Sequence, residues 1–329
     1  MKSPVVSVII PLFNRIDIVV FTIKSLLDQS YSAWEGIIVD DGSSDGSRSV
    51  VRKYALADER LKLIERNRLP KGAPTCRNIG IEHSSGGYIL FLDSDDLLAP
   101  YCLEQRLTDF RKNPQFDFLV YGMQFFDHHP GDQQRIWLHH FYDGYLSGFL
   151  LESQWAITGP IWKKSSLMRL GGFDEQLLSW QDGDLHRRAL IQGFTFKVFD
   201  RVDAYCRRNS STARIGSKDR RSEYLKSRRY QLDKIWKMLD EARLITPLRK
   251  NIVAGQYVTL CRMLLEKHET NLAKQLWKSV YQRGIVNRST FRLVKLYLFL
   301  RKGSENSIWV RSVKRLFRNL LPRYVIRYG

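Results

Sequence analysis

Between residues 5 and 92 the chain alternates short apolar, β-branched runs with amphipathic stretches, and each apolar run stops at a polar cluster. Val5, Val6, Ser7, Val8, Ile9 and Ile10 predict a strand ending at Pro11; Gly36–Val39, Leu61–Glu65 and Tyr88–Leu92 predict three more. Helical spacing falls between them, over Val19–Leu27, Ser47–Ala57 and Arg77–His83. Regular strand–helix alternation predicts an α/β fold with a doubly wound, mostly parallel sheet. Ligands of such sheets bind beyond the carboxyl ends of the strands. That is where this sequence puts its polar clusters, at residues 11–15, 40–46 and 93–96.

The pattern then changes. Strand candidates at Phe116–Tyr121, Ala156–Trp162 and Phe196–Phe199 are shorter and mixed, and beyond about residue 214 the spacing is helical: Tyr224–Leu239, Ile252–Leu265, Leu272–Tyr281, Phe291–Leu300 and Ile308–Leu320. Charge divides at the same place. Residues 1–213 carry a net −1 and residues 214–329 a net +20 of the chain's +19. We therefore expect a catalytic domain at 1–213, in two halves at 1–100 and 101–213, and a basic helical region at 214–329. Cys76, Cys102, Cys206 and Cys261 show neither close pairing nor metal-ligand spacing and read as reduced thiols. No apolar run approaches the roughly 20 residues of a membrane span, and no signal peptide is visible. The expected location is the cytoplasm.

Four clusters carry chemistry. In Leu92-Asp93-Ser94-Asp95-Asp96 three carboxylates repel one another unless a cation or hydrogen bonds compensate. At a strand end a divalent cation bridging to a diphosphate would supply that charge; a solvated turn capping a helix is the other reading. In Val39-Asp40-Asp41-Gly42-Ser43 an Asp can accept from a nucleotide base, or merely close an Asx turn. Arg77-Asn78-Ile79-Gly80, at a helix start behind a Gly/Pro loop, can meet a phosphate or sit at the surface. Finally, Trp180-Gln181-Asp182-Gly183-Asp184 follows Gly171-Gly172-Phe173-Asp174. Either Asp182 or Asp184 could take a proton from an attacking hydroxyl, although Asp184 reads better as a helix-start residue.

Taken together, Ser7–Asn14, Val39–Asp45, Arg77–Gly80, Gly87–Asp96, Gly171–Asp174 and Gln181-Asp182 resemble a family 2 glycosyltransferase of GT-A fold, over residues 5 to about 212. The resemblance implies an inverting transfer from a nucleotide-diphosphate sugar, a UDP-sugar first, to a saccharide or lipid-linked saccharide in cell-surface polysaccharide or lipopolysaccharide synthesis. It implies that Pro11, Phe13, Asp41, Arg77, Asp93 and Ser94 bind the donor, that Asp95 ligates Mn²⁺ or Mg²⁺, and that Asp182 is the general base. Trp180, beside that base, is the candidate acceptor contact.

Two positions depart from the family. Gln181 stands where a Glu is usual, and Asn209 where a His often joins the metal site. They motivate the alternative of a silent nucleotide-sugar-binding scaffold. The Gln-x-x-Arg-Trp motif of processive synthases is absent from the sequence. A nucleotidyltransferase would carry a Gly-rich, basic loop after its first strand, and Pro11-Leu12-Phe13-Asn14 is not one. The basic helix at 308–320 reads either as an interfacial helix on an anionic membrane, at the inner face of the cell membrane, or as a helix packed on the body. No recognised nucleic-acid module accompanies the charge, so no nucleic-acid partner is expected.

Overall fold

The structure is a computed structural model and describes residues 5–208 and 222–300, without the side chains of 299 and 300. Asn209 and the expected helix Ile308–Leu320 lie outside the described residues. In chain order the elements are β1 (Val6–Leu12), α1 (Val19–Leu27), β2 (Trp34–Asp40), α2 (Ser47–Ala57), β3 (Leu61–Glu65), α3 (Ala73–His83), β4 (Tyr88–Phe91), β5 (Leu97–Leu98), α4 (Cys102–Lys112), β6 (Phe118–Phe126) and β7 (Ile136–Trp137). Then follow α5 (Gly144–Leu151), β8 (Pro160–Lys163), α6 (Lys164–Leu170), α7 (Gln181–Ile191), β9 (Phe196–Arg207), α8 (Ser222–Glu241), α9 (Pro247–Glu266), α10 (Thr270–Gln282) and α11 (Arg288–Leu300).

One sheet runs β3-β2-β1-β4-β8-β6-β9-β5, with β7 added on β6. The strands β3, β2, β1 and β4 are mutually parallel, as the alternation requires. β8 then runs antiparallel to both β4 and β6, while β6 and β9 are parallel. The period of two along β1 sorts its side chains between the two covered faces. Val6, Val8 and Ile10 join Val19, Ile23 and Leu26 of α1 and Leu103, Leu107 and Phe110 of α4 in the larger core. Ile9 faces the other way, against α3. There the absence of a side chain at Gly80 lets the helix lie close, since a Cβ at that position would fall 2.3 Å from Ile9 Cγ2.

β1 does not end before Pro11 as expected but continues to Leu12, with Pro11 opposite Val39 of β2. The reason lies in the other neighbour. The Leu92 N–H donates to the Ile9 carbonyl, so residues of that parity turn toward β4, whose pairing stops at Phe91. Pro11's missing N–H therefore falls past the end of β4, where no ladder bond is lost. α3 begins at Ala73, four residues early, because Pro74 sits in its first turn, where a proline costs nothing.

Two compact units emerge. Of the described residues, the first comprises 5–140, 153–176 and 181–208, and the second 141–152, 177–180 and 222–300. The second unit thus takes in α5, which the charge division had assigned to the catalytic domain. α5 is nearly all apolar and buries Phe149, Leu150 and Leu151; Leu151 accepts a hydrogen bond from Gln256 of α9 through its carbonyl. Among the described residues, no helix is long and apolar enough to cross a membrane.

Candidate active site

The carboxyl ends of β1 and β2 form one rim. The loops behind them are tied together: the Asn14 N–H donates to Ser43 Oγ (3.1 Å), the Ser44 N–H to Asn14 Oδ1 (2.9 Å), and the Ile16 N–H to Asp45 (3.0 Å). Asp40 closes its own turn by accepting from the Gly42 and Ser43 N–H groups, the structural role an Asx turn predicts. Asp41 is the one that carries a charged partner. It is 6% exposed, and it accepts from Arg66 Nε at 2.6 Å and from the Gly72 N–H at 3.2 Å. Phe13 stands exposed on the same rim with the Lys71 ammonium 3.7 Å above its ring.

The turn after β4 gathers Asp93, Asp95 and Asp96, one oxygen from each lying within 4.8 Å of the others. Ser94 between them is buried. Asp96 is enclosed, and its backbone is pinned: Thr22 Oγ1 donates to its carbonyl, and the Arg207 N–H donates to its carboxylate at 3.1 Å. Burial first, then the charges of Asp95 and Asp93, push its pKa well above the carboxylate range. Arg15 approaches Asp95 at 3.7 Å, and Arg207 Nε donates to the Asp95 carbonyl.

Arg77 links this cluster to the other half of the site. From the first turns of α3 its guanidinium, nearly enclosed, donates to Asp93 at 2.6 Å and to Asp182 at 3.0 Å. Burial opposes the guanidinium's charge, but the two carboxylates outweigh it and raise its pKa. It is therefore no surface arginine. Asp182 lies in the first turn of α7 with about a third of its side chain accessible. Burial is the larger influence on it and Asp93's charge adds to it; Arg77 pulls the other way, and the outcome is a carboxyl pushed up to about 6. Asp184, by contrast, is fully enclosed and paired with Arg188 one turn on at 2.8 Å, which leaves it structural.

The structure thus brings Arg77, Asp93, Asp95 and Asp182 into one network, with Pro11, Phe13, Asp41 and Ser94 on neighbouring strand ends of the same unit. Trp180 belongs to the second unit. There it is 38% exposed, carries the Arg228 guanidinium 4.3 Å from its ring, and lines a cavity of about 260 Å³ with Tyr224, Gln256 and Met263. Trp155 and Trp162 are core residues. The sequence reading gave no role to Arg15 and Arg207, beside the acidic turn, or to Arg66 and Lys71, on the β1–β2 rim. Arg15 directly follows the quoted first motif and could have been found. Arg207 lies two residues before Asn209, in the segment the family resemblance sets near the metal site, and the pairing of β5 with β9 delivers it to the acidic turn.

Residues 7–167 match the family description Glycosyl transferase family 2. The putative teichuronic acid biosynthesis glycosyltransferase TuaG of Bacillus subtilis is 40% identical over 134 residues, 40% of this chain and 52% of TuaG. The Escherichia coli UDP-Glc:alpha-D-GlcNAc-diphosphoundecaprenol beta-1,3-glucosyltransferase WfgD is 38% identical over 113 residues, 34% of this chain and 44% of WfgD. The chain therefore spans about half the length of the curated relatives it matches. Among solved structures, S. aureus TarS 1–349 in complex with UDP-GlcNAc superposes with a TM-score of 0.67 at 20% identity, covering 96% of this chain and 92% of that one. The fold is that of the GT-A glycosyltransferases.

Proposed function

From a glycosyl transferase family 2 domain at residues 7–167, we infer an inverting, metal-dependent glycosyltransferase. It moves a sugar from a nucleotide-diphosphate donor, a UDP-sugar first, to a saccharide or lipid-linked saccharide acceptor, in cell-surface polysaccharide or lipopolysaccharide synthesis. The observation that carries this reading is the Asp93–Arg77–Asp182 bridge, which joins the acidic turn to a lone, elevated carboxyl at a helix start. The names of TuaG and WfgD support the setting, and WfgD's name supports a lipid-linked acceptor.

In this reading residues 1–213 are the catalytic domain. Phe13 and Pro11 flank the base, Asp41 receives it, and Arg77, Asp93 and Ser94 hold the ribose and diphosphate side. The acidic turn fits a hard divalent cation, Mn²⁺ or Mg²⁺, held by Asp95 with Asp93 and Asp96: it offers three close oxygen donors, and the charges of Asp95 and Asp93 add to burial in raising the pKa of Asp96. When bound, that cation would neutralise charge on the departing nucleoside diphosphate. Asp182 accepts the acceptor hydroxyl's proton while that oxygen forms its bond to the anomeric carbon and the bond to the diphosphate breaks. Arg77 orients Asp182 and keeps it ionised at neutral pH. Trp180 contacts the acceptor, and the basic region from 214 rests on an anionic membrane surface at the cytoplasmic face.

A thermal-shift panel of UDP, GDP, CDP and dTDP, each with and without Mn²⁺, tests the reading on the wild type and Asp95→Ala. We expect a metal-dependent rise with UDP that the variant loses, since a ligand of the folded state alone raises stability. No metal-dependent rise with any nucleotide would refute it.

A further inference from the structure

Arg187 is the one charged side chain of α7 that the chemistry above leaves unused. It is 3% exposed. Among the described residues it has no ion pair and no hydrogen bond, and its Nε is completely enclosed without a partner. Its neighbour in sequence, Arg188, shows what a satisfied arginine looks like here: it binds Asp184, the Leu170 carbonyl and the Gly172 carbonyl. Asp184 is the carboxylate whose charge Arg187 feels, and that carboxylate is already held by Arg188. An enclosed guanidinium without its own counter-ion is costly, because both its charge and its donors are desolvated. Burial accordingly draws its pKa down to about 10.

The side chain is buried. It folds back over the first turn of its own helix, as helical side chains do, and its terminal nitrogen lies where a side chain of Gly183 would be: a Cβ there would stand 2.5 Å from Arg187 Nη2 and 3.5 Å from Ser153 Oγ. Ser153 Oγ makes no hydrogen bond among the described residues either. The missing side chain of Gly183 thus lets the buried Arg187 guanidinium and Ser153 Oγ come together at the helix start, two donors uncommitted among the described residues. Beside them are the first N–H groups of an 11-residue helix, which have no partners within the helix. A helix N-terminus, a fork of guanidinium donors and a hydroxyl around a missing side chain make an oxyanion site. The carboxylate next to it, Asp182, is already tied to Arg77.

We propose that Gly183, Arg187 and Ser153 form an oxyanion subsite beside Asp182, which recognises a carboxylate or a phosphate carried by the acceptor. The proposal deepens the glycosyltransferase reading and rests on it for the word acceptor; the site itself stands on its own geometry. An uncharged sugar would leave Arg187 buried and unanswered, so the site selects for an anionic acceptor.

The test titrates the full chain in EDTA, which removes any metal-bridged contribution from the acidic turn, following thermal stability. The probes are inorganic phosphate, glucuronate and, as the uncharged control, glucose. Phosphate or glucuronate raises the melting temperature of the wild type and glucose does not; which of the two acts identifies the anion's source. Arg187→Met weakens the response about tenfold or more, the worth of a lost charge-assisted contact, while its own unliganded melting temperature is equal to or above the wild type's. Gly183→Ala, a favourable change within a helix, keeps the fold and loses the response. No wild-type response to either anion, an equal response in Arg187→Met, or an unliganded Arg187→Met less stable than wild type would each overturn the proposal. UDP with Mn²⁺ is run in parallel, so a failed nucleotide response discards the transferase reading without touching the anion result.

Discussion

Two buried arginines of the same unit have been given opposite surroundings. Arg106 of α4 and Asp203 of β9 are both fully enclosed; they meet through two hydrogen bonds, the third edge of the guanidinium donates to the Thr158 carbonyl at 2.8 Å, and the Tyr121 ring covers the pair. Burial opposes the charge of Arg106, but Asp203 overcomes this and holds its pKa up. One cation faces one anion, and nothing is left over. Arg77 is equally enclosed, yet it divides its donors between Asp93 and Asp182, each of which remains about a third accessible, and Asp95 and Asp96 stand behind Asp93. Negative charge there exceeds the cation that organises it. The same ion pair chemistry therefore makes a strut where charges close and, in the reading proposed above, a binding site where they do not.

The sharpest way to break that comparison is to treat Asp182 as though it were another strut. If it is the base, Asp182→Asn keeps a hydrogen bond to Arg77 while losing proton acceptance; turnover falls about 10²- to 10⁴-fold and the melting temperature stays close to that of the wild type. A variant that turned over normally but melted early would make the bridge purely structural. The complementary change is Arg106→Leu. It strands the Asp203 carboxylate in the interior, and urea unfolding should show a loss of about 3–5 kcal/mol, with the protein that remains folded as active as before. A loss well below that range would mean the interior pair is solvated enough to behave like the open one.

How much of this was legible in the sequence follows from how local each feature is. The bounds of α1, α2 and β3 match the apolar spacing residue for residue, because one face of each is fixed by its own periodicity. The antiparallel part was read only in fragments: β9 runs from Phe196 to Arg207, not to Phe199, and α4, α5 and β5 were not foreseen. In α4 and β9 the apolar residues are interleaved with charged ones, such as Arg106 and Asp203, that tertiary pairing neutralises. The acidic turn was visible as three carboxylates in four residues, and Asp182 as a carboxylate at a helix start. The Arg77 bridge was not, since its partners lie 16 and 105 residues away and no spacing rule connects them. Arg187 was invisible for a related reason: an arginine on a helix is ordinary until its surroundings show no carboxylate for it.

The smallest expected effect is also the one that measures the openness of the bridge directly. Asp182 is pushed up to about 6 by burial and by Asp93, against the pull of Arg77. A base works in its ionised form, so kcat/KM should rise with pH through about 6 and level off above it, and one unit below the midpoint the rate should be about tenfold lower. Arg77→Gln removes the positive charge that favours the carboxylate, so the acidic limb must move to higher pH, not lower. Arg106→Leu, which alters a cation that Asp182 does not touch, must leave the limb where it is. If the limb follows Arg106 or ignores Arg77, the contrast between the closed pair and the open bridge fails, and another group is taking the proton.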